Sequence, residues 1–244
     1  MSNSTTDQKA TLWIVGMPLD EGQVPGPAQL EALARADVLI GESKKVGFGY
    51  LKHVPGFRDK EIYFLDGMSN TDKEALIQRI GALLKQGESV ALFSDAGMPI
   101  SFDPGKEILD LCRKKGFEIR SVPGATSWGT AIGLCGWEPP FLLFDFLPRE
   151  ADARLKRLHE CKQNMASARA HGVFLETPYR FQTFLKDARK VFGPSAQTFL
   201  AWEISRSGES FFWGSMEALA ADTLRNARLK GEFVLIVSAP RKIP

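Results

Sequence analysis

The segment best equipped for chemistry is Ser94-Asp95-Ala96-Gly97-Met98-Pro99-Ile100-Ser101-Phe102-Asp103-Pro104-Gly105. Ala96 and Gly97 are small enough to let a ligand approach the backbone. Asp103 followed by Pro104 reads as a cap and first residue of a helix, whose free N–H groups suit an anionic group such as a carboxylate. The competing reading is that Asp103 only caps and Asp95 only closes a turn. Pro123-Gly124-Ala125-Thr126-Ser127 has the same character, and its two hydroxyls either hold a ligand or cap the next helix. Leu175-Glu176-Thr177-Pro178-Tyr179-Arg180 collects a carboxylate, a hydroxyl, a ring and a guanidinium, with Arg180 equally able to pair with a surface acid. Glu42 ends a strand candidate where a dinucleotide fold places its ribose acid, but neither G-x-G-x-x-G nor a phosphate-loop lysine precedes it.

Other chemistries are poorly served. His53, His159 and His171 are isolated, so no metal is expected. Cys112, Cys135 and Cys161 form neither a knuckle nor a redox pair, which fits a reducing compartment. Ser94 lacks the nucleophile elbow. The 244 residues carry 31 Lys+Arg against 29 Asp+Glu, a charge of +2, so no strongly basic face is advertised. Residues 149–169 do carry six basic side chains against three acids, and are either an RNA-backbone patch or a solvated helix face. Met1 to Lys9 are polar with no apolar run behind them, and no stretch is long enough to span a bilayer. The expectation is a cytoplasmic protein without a membrane partner.

Ten short apolar runs read as strands: 12–17, 37–42, 61–65, 89–94, 117–122, 141–147, 173–176, 198–204, 210–214 and 233–238. The early ones are nearly continuous Val, Ile, Leu and Phe, as in strands buried on both faces of a parallel sheet. Helical patterns cover 27–36, 71–86 with a capping box from Thr71 to Glu74, Pro104 to a stop at Gly116, 126–134, 151–168, 179–191 and 216–229. The fold class is α/β: a parallel-sheet N-terminal α/β domain over 11–122 and a mixed-sheet α+β C-terminal domain over 123–240.

The order of the motifs resembles the tetrapyrrole methylase superfamily, and within it the branch of the small-subunit ribosomal RNA 2′-O-methyltransferase. S-D-A-G-x-P and D-P-G stand at Ser94–Pro99 and Asp103–Gly105, P-G-x-[ST] at Pro123–Thr126, and F-L-P at Phe146–Pro148. Y-E-x-P-x-R stands at Leu175–Arg180 with its Glu, Pro and Arg retained, and K-G-E-x-V-L at Lys230–Leu235. The resemblance implies S-adenosyl-L-methionine (SAM) bound in a cleft between the two domains, usually in a homodimer. It places Pro18, Asp95, Gly97, Met98, Pro99, Thr126, Ser127, Thr177 and Pro178 around the donor. The family's A-E-D-T-R is Gly41-Glu42-Ser43-Lys44-Lys45 here, and T-P-I-G-N-L is Met17–Gly22. The branch's C-terminal extension is expected to be missing.

The implied chemistry is in-line methyl transfer, which needs donor and acceptor held close and collinear and no metal. A ribose hydroxyl as acceptor calls for a general base. Glu42 is the expected base or positioning residue, and Lys45 the contact to phosphate. Two other readings remain open at this point: the same donor with a tetrapyrrole or other small-molecule acceptor, and a SAM-binding module without catalysis.

Overall fold

The computed structural model describes residues 10–225 and 231–239. It divides between Thr126 and Ser127 into two units, each with its own sheet. Met1–Lys9, Lys230 of the last motif, residues 226–229 of the expected final helix and Pro240 lie outside the described residues.

The first unit contains β1 (Thr11–Val15), α1 (Pro27–Arg35), β2 (Val38–Gly41), α2 (Lys44–Leu51), β3 (Glu61–Phe64), α3 (Asn70–Lys85), β4 (Val90–Phe93), α4 (Lys106–Lys115) and β5 (Glu118–Val122). The five strands form one parallel sheet in the order β3-β2-β4-β1-β5. The runs with the most continuous apolar sequence are its central strands. β2 and β4 are buried at every residue, whereas edge strand β3 is half-buried throughout. Alternate side chains serve the two faces. Leu12, Ile14, Val38, Ile40 and Leu92 meet Leu76, Ile80 and Leu83 of α3. On the opposite face Val15, Leu39, Ala91 and Phe93 meet Leu33 of α1 and Tyr50 and Leu51 of α2.

Three local expectations are corrected. Residues 44–51 form α2, a helix absent from the sequence reading, with Ser43 as N-cap accepting from Val46 N–H at 3.5 Å. The cap of α3 is Ser69, which accepts from Asp72 N–H at 3.1 Å, not Thr71. Asp103 does not cap α4: the helix starts at Lys106 after Gly105, and no side chain caps it.

The second unit contains α5 (Ser127–Cys135), β6 (Phe141–Phe144), α6 (Ala151–Ala168), β7 (His171–Glu176), α7 (Phe181–Phe192), β8 (Gln197–Trp202), β9 (Ser210–Ser215), α8 (Met216–Arg225) and β10 (Phe233–Val237). Its sheet runs β6-β7-β10-β8-β9, parallel between β6 and β7 and antiparallel elsewhere, the mixed sheet expected of this half. Phe181, Phe184, Leu185, Ala188 and Val191 line one face of α7 at i, i+3, i+4, i+7 spacing. They join Phe144, Phe174, Leu200 and Phe233 in an aromatic-rich core, with Phe181 and Phe233 edge to face at 4.6 Å.

Two of the six basic side chains of the segment at 149–169 have structural roles. Arg154 is buried and pairs with buried Asp187 of α7 at 2.8 Å, while its Nη1 donates to the Arg149 carbonyl at 2.6 Å. Lys162 donates to the Val191 carbonyl at 2.7 Å, tying α6 to the end of α7. Arg157 pairs with Glu160. Arg149, Lys156 and Arg169 are exposed, so part of the local positive charge faces solvent. The same helix needs cations to satisfy a carboxylate and carbonyls inside its own unit.

Candidate functional site

In the first unit the candidate residues sit on loops at the carboxyl ends of β1, β2, β4 and β5, where an open α/β sheet presents its ligand crevice. The loops after β1 and β4 are knitted through Gly97. Its carbonyl accepts from Met17 N–H at 2.7 Å and from the Ser94 hydroxyl at 3.0 Å, and its N–H donates to the Pro18 carbonyl at 3.2 Å. Gly97 has φ +74°, and a Cβ there would lie 2.9 Å from the Ala125 carbonyl oxygen. No other residue fits this junction without strain. The loop after β5 closes on the same place. Gly124 N–H points at Met98 Sδ at 3.3 Å, and the Gly16 and Gly124 backbones cross too closely for a side chain on either. The small residues thus bring three loops together, and Pro18, Gly97, Met98 and Thr126 of the expected donor set lie on these loops. Pro99 follows Met98 and is buried.

The loops after β2 and β4 are joined by carboxylates. Glu42 Oε2 accepts from Asp95 N–H at 3.0 Å, and Asp95 Oδ1 accepts from Ser43 N–H at 3.0 Å. The Tyr50 hydroxyl of α2 adds a bond to the Asp95 carbonyl at 2.7 Å. The missed helix α2 therefore helps build the site. Its signal in the sequence is Ser43, a residue type favoured at a helix N-cap. Lys45 is the second residue of α2 and is exposed.

Burial pushes the Glu42 carboxyl above its ordinary range, and Asp95, Asp66 and Glu21 add to this, offset by the Asp95 N–H. Asp103 is pushed up to about 7, by burial first and then by Glu42 and Asp95. The loop carrying it is strained, with positive φ at Ile100 (76°) and Phe102 (73°), a region costly for side chains of this size. Sequence reasoning gave Asp103 a capping role and missed it as a member of this acidic group.

In the second unit Ser127 is the first residue of α5, and Thr177 and Pro178 follow β7. Glu176 is buried: Oε1 accepts from Thr177 N–H at 2.8 Å and lies 3.2 Å from Arg180 Nη1, while Oε2 has no partner. Arg180 also donates to the Leu147 carbonyl at 2.9 Å and the Pro148 carbonyl at 2.7 Å. One guanidinium thus connects the E-x-P-x-R and F-L-P motifs. Arg180 is a brace inside its unit.

Residues 11–220 match the profile of the family described as tetrapyrrole (corrin/porphyrin) methylases. The chain belongs to this family. Among tetrapyrrole methylase relatives, it is 30% identical over 239 residues to the ribosomal RNA small subunit methyltransferase I of Haemophilus influenzae, covering 97% of this chain and 81% of that protein. It is also 30% identical over 230 residues to the enzyme of the same name from Thermotoga maritima, covering 93% of this chain and 97% of that protein. The fold is shared with solved structures. Cobalt precorrin-4 methyltransferase aligns with a TM-score of 0.63 at 15% identity, covering 97% of this chain and 98% of that one. Uroporphyrin-III-C-methyltransferase from Thermus thermophilus aligns at 0.57 and 19%, covering 95% and 93%.

The residues present fit the methyl donor of such an enzyme. SAM carries a positive sulfonium, and the first unit gathers carboxylates: Asp95 helps raise the Glu42 pKa, and Glu42 and Asp95 help raise that of Asp103. The buried Glu176 Oε2, an acceptor without a donor, is a second group suited to a cationic or N–H-bearing ligand. Among the described residues no group of three or more His, Cys, Asp or Glu is placed to hold a metal ion, and no helix is long and apolar enough to cross a membrane.

Proposed function

We propose that the protein is a SAM-dependent methyltransferase whose acceptor is a ribose 2′-hydroxyl of ribosomal RNA. The observation that carries the donor half is the acidic group at the ends of β2 and β4, held by the reciprocal Glu42–Asp95–Ser43 bonds beside the Gly97 junction. The donor supplies an electrophilic methyl group on a sulfonium. Pro18, Asp95, Gly97, Met98, Pro99 and Thr126, with Ser127, Thr177 and Pro178, are the residues assigned to hold it. Fixed carboxylates favour a positive charge without reorganising during reaction.

The acceptor half draws on the relatives' names and on two lysines. Lys44 and Lys45 occupy the first turn of α2, the positive end of the helix dipole, where cations are disfavoured. A phosphate brought there gains from both lysines and from the dipole, which favours an RNA backbone as the occupant. Glu42 stands two residues upstream on the β2 loop. Its raised pKa makes it the stronger proton acceptor for a ribose hydroxyl. The reading includes a cytoplasmic location and a homodimer.

Two measurements test it. Calorimetric titration with S-adenosylhomocysteine should give one site per chain, and absence of binding removes the donor half. Tritiated methyl transfer should then label RNA of undermethylated small ribosomal subunits. Label in a porphyrinoid extract instead overturns the acceptor half and leaves the donor half standing.

A further inference from the structure

The second unit holds a cavity of about 420 Å³ that none of the assigned residues touches. Trp137, His171, Gln197, Thr198, Trp213 and Ser238 are among the residues lining it. Its volume falls in the range of small-ligand sites.

The aromatic walls are fixed in place. Trp213 lies on edge strand β9 and remains 54% exposed, a costly place for the largest apolar side chain. Yet its indole does not hang loose. Nε1–H donates to the Cys135 carbonyl at 3.2 Å, and the ring rests 4.9 Å from that of fully buried Phe199. Trp137 is set by His171, whose ring lies 5.0 Å away at 34°, with Phe141 at 5.2 Å from the same imidazole. His171 is itself held, because Nδ1 accepts from Ala239 N–H at 3.0 Å. That bond requires the unprotonated Nδ1, and burial moves the ring's pKa down.

The chemistry of the walls selects the occupant. No lining side chain bears a formal charge, so the occupant is uncharged where it is enclosed. Flat indole surfaces favour a planar ring. The Gln197 amide, whose Nε2 already donates to the Ser195 carbonyl at 3.3 Å, keeps a second N–H and an accepting oxygen, and Ser238 adds a hydroxyl to the lining. Planarity, neutrality and edge hydrogen bonding together describe a nucleobase, which single-stranded RNA presents once it is unstacked.

We propose that this pocket receives an unpaired nucleobase of the RNA acceptor, stacked against Trp213. The proposal rests on the RNA reading above. It adds a base-holding site built from residues outside the donor set, so that RNA is gripped through a splayed base as well as through its phosphates.

The test is fluorescence anisotropy of a labelled, unstructured RNA 12-mer with the whole protein. Stacking on one aromatic side chain is worth ~1–3 kcal/mol per base, so Trp213→Ala should weaken binding by ~5- to 150-fold while Trp213→Phe retains most of it. An RNA of abasic residues should bind wild type and Trp213→Ala alike. In a separate titration, adenosine 5′-monophosphate should shift the Trp213 indole N–H resonance of wild type. Base-bearing RNA that binds wild type and Trp213→Ala equally overturns the pocket proposal and leaves the RNA reading intact. RNA that fails to bind wild type overturns both. A Trp213→Ala protein that loses affinity only because sedimentation shows it has lost a dimer overturns the proposal in favour of a contact between copies. S-adenosylhomocysteine affinity, measured on each variant, reports that the fold is retained.

Discussion

Glu42 and Asp95 stand 53 residues apart in sequence and meet through a 3.0 Å bond from the Asp95 N–H to Glu42 Oε2. The bond joins the exits of β2 and β4, neighbours in the sheet, and the Asp95 carboxylate returns it by accepting from Ser43 N–H. Glu42 thus has two separable properties: an oxygen that accepts a hydrogen bond and a negative charge that accepts a proton.

Glu42→Gln separates them. Glutamine keeps the accepting oxygen and so the link to Asp95, but it cannot take a proton. Turnover in a single-turnover methyl-transfer assay should fall by ~10²-fold or more, the usual contribution of a general base. Affinity for S-adenosylhomocysteine should stay near that of wild type. Wild-type turnover would show that Glu42 only positions the loop.

Gly97→Ala tests the junction of the first unit's loops. The added methyl meets the Ala125 carbonyl at 2.9 Å and must adopt φ +74°. The left-handed conformation alone costs an alanine about 1–2 kcal/mol. Denaturant unfolding should show at least this loss, and donor-product affinity should fall with it, because the loops of Pro18, Met98 and Thr126 meet at that point. An unchanged midpoint and affinity would mean the loops can part without consequence.

The ten strands were legible because each apolar run is short and bounded by turn residues, and because β2 and β4 carry almost nothing polar. Helix α2 was not, for its sequence Lys-Lys-Val-Gly-Phe-Gly-Tyr-Leu has two glycines and no clear apolar stripe. It is held by tertiary packing of Tyr50 and Leu51 and by the Tyr50 bond to Asp95. Asp103-Pro104 fits a helix start so well by local rule that the capping reading was natural. Asp103 instead stops short of the helix, on a strained loop, in the field of Glu42 and Asp95. The motifs pointed to loops that the first unit brings together, but spacing could not reveal that Arg180 braces Leu147 and Pro148, or that Trp137 and Trp213 share a cavity across 76 positions.

Arg154 and Asp187 form a buried pair whose side chains are 6% and 7% exposed. Removing one partner strands the other charge in the core between α6 and α7, at a cost of about 3–5 kcal/mol. Arg154→Ala and Asp187→Ala should each lower the denaturant midpoint of the second unit strongly. The double substitution Arg154→Met with Asp187→Leu should recover most of that loss, since no charge is then left behind. Equal losses for the single and double variants would mean packing, not charge, dominates at this site.

Asp103 offers a test by pH. Its folded pKa of about 7 lies above the ordinary 3.8, so the folded protein holds the proton more tightly than the unfolded chain. Stability from this group is fully present below about pH 4, where both states are protonated, and is lost as pH rises through about 7, where the folded state must bear a buried charge near Glu42 and Asp95. Asp103→Asn removes that ionisation. The variant should melt at a higher temperature than wild type at pH 8, and the difference should shrink steadily as pH falls and vanish near pH 4. A difference constant across this range would trace to the amide's packing and not to the carboxylate's charge, and a variant less stable at pH 8 would mean that the ionised Asp103 is welcome where it sits. Methyl transfer measured on the same variant adds the functional half. If the carboxylate cluster favours the sulfonium through its negative charge, Asp103→Asn should weaken S-adenosylmethionine binding more than binding of the uncharged S-adenosylhomocysteine thioether, and only at pH values where wild-type Asp103 is ionised.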